Sequence, residues 1–240
     1  MIDFRAIMKP NTSTLLKTDL VSCWEFDETT GSIAYDAHGS NDGTNVGATV
    51  NQTSVGNLGK CYTFNGTTNY VNVGSDSALD NLAQKSLSVW ININGGGESN
   101  AGRYFDKGGT SGWLFFGGYQ TVSFIHGFSS NRVYGITNTG VISTTGWYHL
   151  VLTYDNSSLT NVPLLYINGV LTGWASGTYE SPSGTPNDDS SYVITLGNNI
   201  ATNRAFKGLM DQPTIWNRIL TSSEITEIYN SGNGLAYHNW

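Results

Sequence analysis

Apolar and polar positions alternate along short runs of this chain, and the runs are separated by Gly, Asn, Ser and Pro. In Leu20-Val21-Ser22-Cys23-Trp24-Glu25-Phe26 the Trp24 and Phe26 side chains share one face of an extended chain, because side chains on a strand repeat every second residue. Comparable runs cover residues 61–65, 70–73, 87–93, 104–107, 113–116, 121–127, 133–137, 149–154, 164–167 and 193–196, each closed by turn-forming residues. So many short strands predict an all-β fold, a two-sheet antiparallel β-sandwich or jelly roll. Asn168-Gly169 marks a tight hairpin, since that pair tolerates the positive φ angles of a type I′ turn. Residues 27–59 read as a polar loop with one short strand near 47–50, and 176–191 as a long exposed loop.

One short helix is predicted near the C-terminal end. Thr221 can cap it while Glu224 reaches back, and Leu220 and Ile225 can form a hydrophobic staple. Ile225, Ile228 and Tyr229 then share a face, and Asn230-Ser231-Gly232 ends the helix. Residues 1–18 have no sustained period and are expected to be an arm or linker; residues 19–240 are expected to form one sandwich domain.

Composition narrows the class. Hydrophobic residues make up 38% of the 240 and charged residues only 12%, so a highly charged disordered chain is excluded. The 18 acids outnumber 11 bases, giving a net charge of −7, and no Lys/Arg cluster is present, which argues against nucleic-acid binding. No run approaches the roughly 18–20 apolar residues of a membrane helix, so membrane insertion is not expected. The first residues lack the apolar core and cleavage site of a secretory signal, and classical secretion of this chain is not expected. Cys23 and Cys61 lack metal-motif spacing and are expected to be packed thiols, with pairing left open.

At this point the chain resembles the concanavalin A-like lectin/glucanase superfamily, in particular the laminin G-like domains of its bacterial and phage branch. The resemblance is carried in order by LVSCWEFDETTGSIAYDAHGSNDGT, GKCYTFNGTTNYVNV, SLSVWININ, GWYHLVLTYD, LLYINGV, ITLGN and FKGLMDQPTIWNRILTSSEITEIYNSG. It implies a concanavalin A-like sandwich. The loop from Asp36 to Gly43 gathers oxygen donors of the kind calcium prefers. The resemblance aligns it with a calcium-associated loop lying against an Asp of a late strand, which implies a structural Ca2+ held by Asp36, Asn41 and Asp211. The alternative reading makes Asp36 and Asn41 turn formers bonded to their own backbone, with Asp211 hydrogen-bonded at a strand end.

Glu25, Asp27 and Glu28 invite comparison with the hydrolases of the superfamily. Retaining hydrolysis needs two carboxyls about 5–5.5 Å apart, and the alternation stops at Thr29, so no enzyme is expected. His149 in the run 149–154 reads as a structural histidine, and Arg218 as a structural contact near Trp216. The fold implies carbohydrate binding, for which an exposed aromatic platform with polar neighbours is needed. Assigning Trp24, Trp90, Trp147 and Trp216 to the core leaves Trp113, Trp174 and Trp240, of which Trp113 and Trp174 are the expected platforms, with Tyr119, Arg132 and Tyr134 beside Trp113. The expectation is a noncatalytic glycan-recognition module, plausibly an accessory part of a phage particle or a cell surface. Residues 1–18 would then attach to a capsid or tail protein or to a second copy, as a homo-oligomer. The competing expectation is a purely structural virion protein, and the least favoured is a glycoside hydrolase.

Overall fold

The computed structural model describes residues 13–55, 58–144 and 146–240. Most of the predicted arm, residues 1–12, therefore lies outside the described residues. In chain order the elements are α1 (Ser13–Leu16), β1 (Leu20–Cys23), β2 (Ile33–Ala34), β3 (Gly43–Val46), β4 (Thr49–Thr53), β5 (Lys60–Asn65), β6 (Tyr70–Gly74), β7 (Gln84–Ile93) and β8 (Gly102–Lys107). They continue with β9 (Trp113–Gly117), β10 (Val122–Gly127), β11 (Arg132–Ile136), β12 (Tyr148–Asp155), β13 (Leu164–Ile167), β14 (Val170–Thr172), β15 (Ile194–Leu196), β16 (Lys207–Trp216) and α2 (Ser222–Tyr229).

The strands form two antiparallel sheets of eight. One runs β14-β13-β12-β7-β16-β5-β4, with β1 also paired to β16; the other runs β11-β10-β9-β8-β15-β6-β3-β2. Alternation in the sequence aims one face of each sheet inward, where Phe26, Tyr62, Leu87, Val89, Phe105, Phe115, Phe124 and Leu150 form the shared core. The predicted polar loop 27–59 holds three strands, because β2, β3 and β4 are short and mostly solvent-facing and so leave little periodic signal. Among the described residues no helix is long and apolar enough to cross a membrane.

Two local features follow directly from residue chemistry. Pro213 has no N–H to give a ladder, and the β16–β7 register shifts between Asp211 and Thr214, with Gln212 at φ 45°. Helix α2 has the predicted capping box: Thr221 Oγ1 accepts from the Glu224 N–H and the Glu224 carboxylate accepts from the Thr221 N–H at 2.8 Å. The helix lies against the outer face of the first sheet, where Leu16, Cys23, Val151, Trp216, Ile225, Ile228 and Trp240 make a second apolar cluster. Part of the expected arm thus belongs to the sandwich. Leu16 is fully buried, and Arg218 donates to the Leu15 and Thr18 carbonyls while gripping Glu224 with two bonds of 2.7 and 3.0 Å.

Cys23 and Cys61 are buried free thiols. Cys23 Sγ accepts from Thr214 Oγ1, and Cys61 Sγ donates to the Thr53 carbonyl. Burial pushes the Cys61 thiol up to about 12 and Cys23 well above its usual range, so neither is poised as a nucleophile. His149 is structural, as expected. Its ring stacks with Trp90 and Tyr229, which also stack with each other, its Nε2 meets Ser88 Oγ at 2.8 Å, and burial lowers its pKa to about 3.

Candidate functional site

Strands β8, β10 and β12 end, and β7, β9 and β15 begin, along one rim of the sandwich. The connections there enclose a cleft of about 360 Å³ lined by Asn81, His126, Asn156, Pro186, Asn187, Asp188 and Asp189. Its walls are tied by reciprocal bonds between distant segments. The Asn81 N–H donates to Asp189 Oδ1 at 2.8 Å, the Asp189 N–H returns a bond to Asn81 Oδ1 at 3.0 Å, and Asn81 Nδ2 reaches Asp188 Oδ1 at 2.9 Å. Asn81 adopts φ 51°, a conformation Asn tolerates better than most side chains. Asn187 is fixed through its N–H to the Gly127 carbonyl and through Nδ2 to Ser111, and Asn156 through its N–H to Ala83.

Behind this wall sit two fully buried lysines. Lys107 Nζ lies 2.6 Å from Asp80 and 3.6 Å from Asp189. Lys85 Nζ lies 3.4 Å from His126 Nδ1 and faces the Tyr154 ring at 5.8 Å. Burial lowers Lys85 to about 7 against the opposing pull of Asp189 and Asp155. Burial first, and then the Lys85 charge, holds His126 well below its usual range, so its imidazole is neutral. Lys85 thus engages one ring nitrogen of the neutral imidazole, Nδ1, and not the other, Nε2. At the mouth, the Ser190 N–H and then the Ser190 hydroxyl and Asn81 hold Asp188 down to about 2, leaving it a carboxylate. The cleft thus combines rigid walls, hydrogen-bonding groups and an ionised acceptor, a combination suited to holding a polar small ligand.

The sequence-predicted platform is placed differently. Trp113 is 0% exposed, its ring inside the sandwich core, because register puts it on the inner face beside His126 and Lys107. It offers no ring to a ligand, and that assignment is corrected. Trp174 is half-buried, plugs the open edge of the sandwich over Gly135 and donates its indole N–H to the Pro163 carbonyl. Arg132 and Tyr134 come together on β11, but Arg132 is spent on Glu180 through bonds of 2.9 and 3.1 Å while its guanidinium lies over the Tyr134 ring. Tyr119, 47% exposed, sits apart from these on the β9–β10 turn, where its N–H donates to Asn100 Oδ1. Of the other tryptophans, Trp24, Trp90, Trp216 and Trp240 are buried and Trp147 is half-buried.

The residues expected to hold calcium are committed elsewhere. Asp36 accepts from the backbone N–H groups of Cys23, His38 and Asn41, the turn-former arrangement. Asn41 spends its side-chain N–H on Ser22 and its carbonyl on the Trp24 indole. Asp211 is fully buried, with one oxygen bonded to Ser54 Oγ and the other unpartnered, and burial raises its pKa well above the carboxylate range. Among the described residues no group of three or more His, Cys, Asp or Glu side chains is placed to hold a metal ion.

The acids compared with hydrolases serve the backbone. β1 ends at Cys23 and Phe26 takes φ 56°, so the strand alternation that would align Glu25 with Asp27 is broken. Asp27 accepts from the Lys60 N–H, and Glu28 accepts from the Tyr35 N–H and the Tyr62 hydroxyl.

The laminin G-type family model, described as the concanavalin A-like lectin/glucanases superfamily, matches residues 65–226. The chain belongs to that superfamily. The match spans the rim cleft as well as both sheets. Among solved structures, the chain is similar to the binding domain of Paraclostridial Mosquitocidal Protein 1, with TM-score 0.64 and 18% identity over 90% of this chain and 53% of that one. It is also similar to domain 4 of AbnA, a GH43 extracellular arabinanase from Geobacillus stearothermophilus in complex with arabinotriose, with TM-score 0.57 and 22% identity over 87% of this chain and 97% of that one. A third is a botulinum neurotoxin type C structure reported with entry dependent on two ganglioside molecules, with TM-score 0.63 and 12% identity over 90% and 52%. The chain thus spans about half the length of the toxin binding domains it matches. Among curated proteins none matches it.

Proposed function

We propose that this protein is a noncatalytic carbohydrate-recognition module whose binding site is the rim cleft. The observation that carries the reading is a preformed polar concavity, walled by Asn81, Asn156, Asn187, Asp188 and Asp189 and fixed by bonds between segments more than 100 residues apart. A rigid set of amide and carboxylate groups suits a sugar, which presents several hydroxyls at fixed spacing. The superfamily and the arabinotriose complex of the AbnA domain support the same ligand class. Binding to a broad glycan array, run beside an assay for newly formed reducing ends, tests it. Saturable binding with no cleavage is expected; release of reducing ends would replace this reading with a hydrolase.

An accessory place on a phage particle or cell surface is part of the proposal. Trp216 and Arg218 clamp residues 15–18 to the sandwich, which gives an attachment made through the preceding residues a fixed base on the domain. Loss of particle incorporation in a variant lacking residues 1–12, with an unchanged thermal midpoint, is the expected result. Retained incorporation would remove the attachment role.

A further inference from the structure

We infer that the rim cleft takes an uncharged sugar residue and rejects sialylated and uronate-bearing glycans, because carboxylates line it and no cation behind it can reach the ligand; this rests on the carbohydrate reading above. The argument is an inventory of what the cleft still has to offer once its own bonds are counted. Asp188 accepts from Asn81 and the Ser190 N–H through Oδ1 and also meets the Ser190 hydroxyl, and as a carboxylate it has acceptor capacity beyond these bonds. Asn187 and Asn156 each spend N–H donors on carbonyls, leaving both Oδ1 atoms free. His126 is engaged at Nδ1 by Lys85, leaving its other ring nitrogen free. Each of the two carboxamides also keeps a second Nδ2 N–H, so the cleft offers acceptors and donors side by side, with the Asp188 carboxylate at its mouth. A sugar hydroxyl meets an acceptor by donating its proton, whereas a carboxylate brings only acceptors.

Charge points the same way. Asp188 and Asp189 both line the cleft, and Asp80 lies behind it. The nearest cations cannot reach an incoming anion: Lys107 is fully buried against Asp80 and Asp189, and Lys85 is fully buried behind His126. Entry of a carboxylate would set its charge against those of Asp188 and Asp189, with no cation in reach to offset the lost hydration. A second cleft of about 370 Å³ presents Lys207 among Asn65, Asn92 and Asn94, so an anionic glycan has a different place to go.

Titration calorimetry of the full chain separates these possibilities, using arabinotriose, cellotriose and galactotriose beside 3′-sialyllactose and tri-galacturonate. The expected result is binding of at least one uncharged trisaccharide, weakened tenfold or more by Asp188→Ala and by Asn187→Ala, and none by the two charged probes. Thermal melts establish that both variants fold. Tighter binding of a charged probe, weakened by the same variants, would overturn the inference and leave the recognition module standing. Binding of an uncharged sugar insensitive to both substitutions would move the site off the rim. No binding by any probe, with the array also blank, would overturn this inference and the carbohydrate reading together.

Discussion

Lys107 Nζ lies 2.6 Å from Asp80 Oδ1, joining the end of strand β8 to the short 3-10 turn Ser77–Leu79 that leads into β7. Asp189, 3.6 Å away, adds a third segment to the same charge. Removing one partner from a buried ion pair typically costs about 3–5 kcal/mol, because the remaining charges are left without compensation. Lys107→Ala is expected to fall in that range by denaturant unfolding. A loss under about 1 kcal/mol would mean that Asp80 and Asp189 find their solvation elsewhere.

Leu16 and Leu15 are adjacent residues with opposite environments. Leu16 is fully buried in the helix-side cluster, and its carbonyl accepts the Trp216 indole N–H at 2.7 Å, while Leu15 is half exposed. Leu16→Ala should therefore cost about 2–5 kcal/mol and Leu15→Ala less than about 0.5 kcal/mol. Equal midpoints for the two variants would show that the segment before β1 adds nothing to the fold.

Lys85 makes stability depend on alkaline pH. Its ordinary pKa is about 10.4, and in the folded chain burial lowers it to about 7. Between those values the unfolded chain holds a proton that the folded chain has released, so this group's contribution to stability rises with pH, by up to about 1.4 kcal/mol per unit. Its full cost is present below pH 7. Lys85→Met removes it, so the variant should be more stable than the parent at pH 7, with the difference shrinking toward pH 10. Unfolding curves at pH 6, 7, 8 and 9 measure this, and a difference independent of pH would discard the buried ammonium.

The Arg132–Glu180 pair is partly exposed and braces the edge strand β11. Exposed pairs contribute about 0–1 kcal/mol. Arg132→Ala should lower the midpoint slightly and leave sugar affinity unchanged in calorimetry. A tenfold loss of affinity would return Arg132 to the binding site.

Calcium removal is expected to leave the thermal midpoint where it is, because Asp36 is bonded to three backbone N–H groups and Asp211 to Ser54. A lower midpoint in chelator, restored by added calcium, would reinstate the metal.

The fold was legible in the sequence wherever burial imposed a period. Strands β5 to β13 are long enough to alternate visibly, and the Thr221/Glu224 cap is a local code. Strands β2 and β3 escaped because they are short and largely face water, and β4 was anticipated only in part, by the short run near 47–50. Trp113 was misassigned for a related reason: a tryptophan at a strand start gives no local sign of which sheet face it takes, and the register with His126 decides it. The cleft was the least legible part. The run Pro186-Asn187-Asp188-Asp189 is visible as a polar stretch, but its partner Asn81 stands 108 residues away from Asp189, and nothing in either segment alone announces the pairing.

The clamp around Trp216 has a topological consequence. Trp240 stacks on Trp216 at 5.4 Å, and Lys17 lies over the Tyr237 ring at 4.3 Å, so the first and last parts of the described chain meet on one side of the first sheet. A polypeptide that enters beside Tyr237 and leaves within a few residues of its entry point can be spliced into a surface loop of another protein with little displacement of the host.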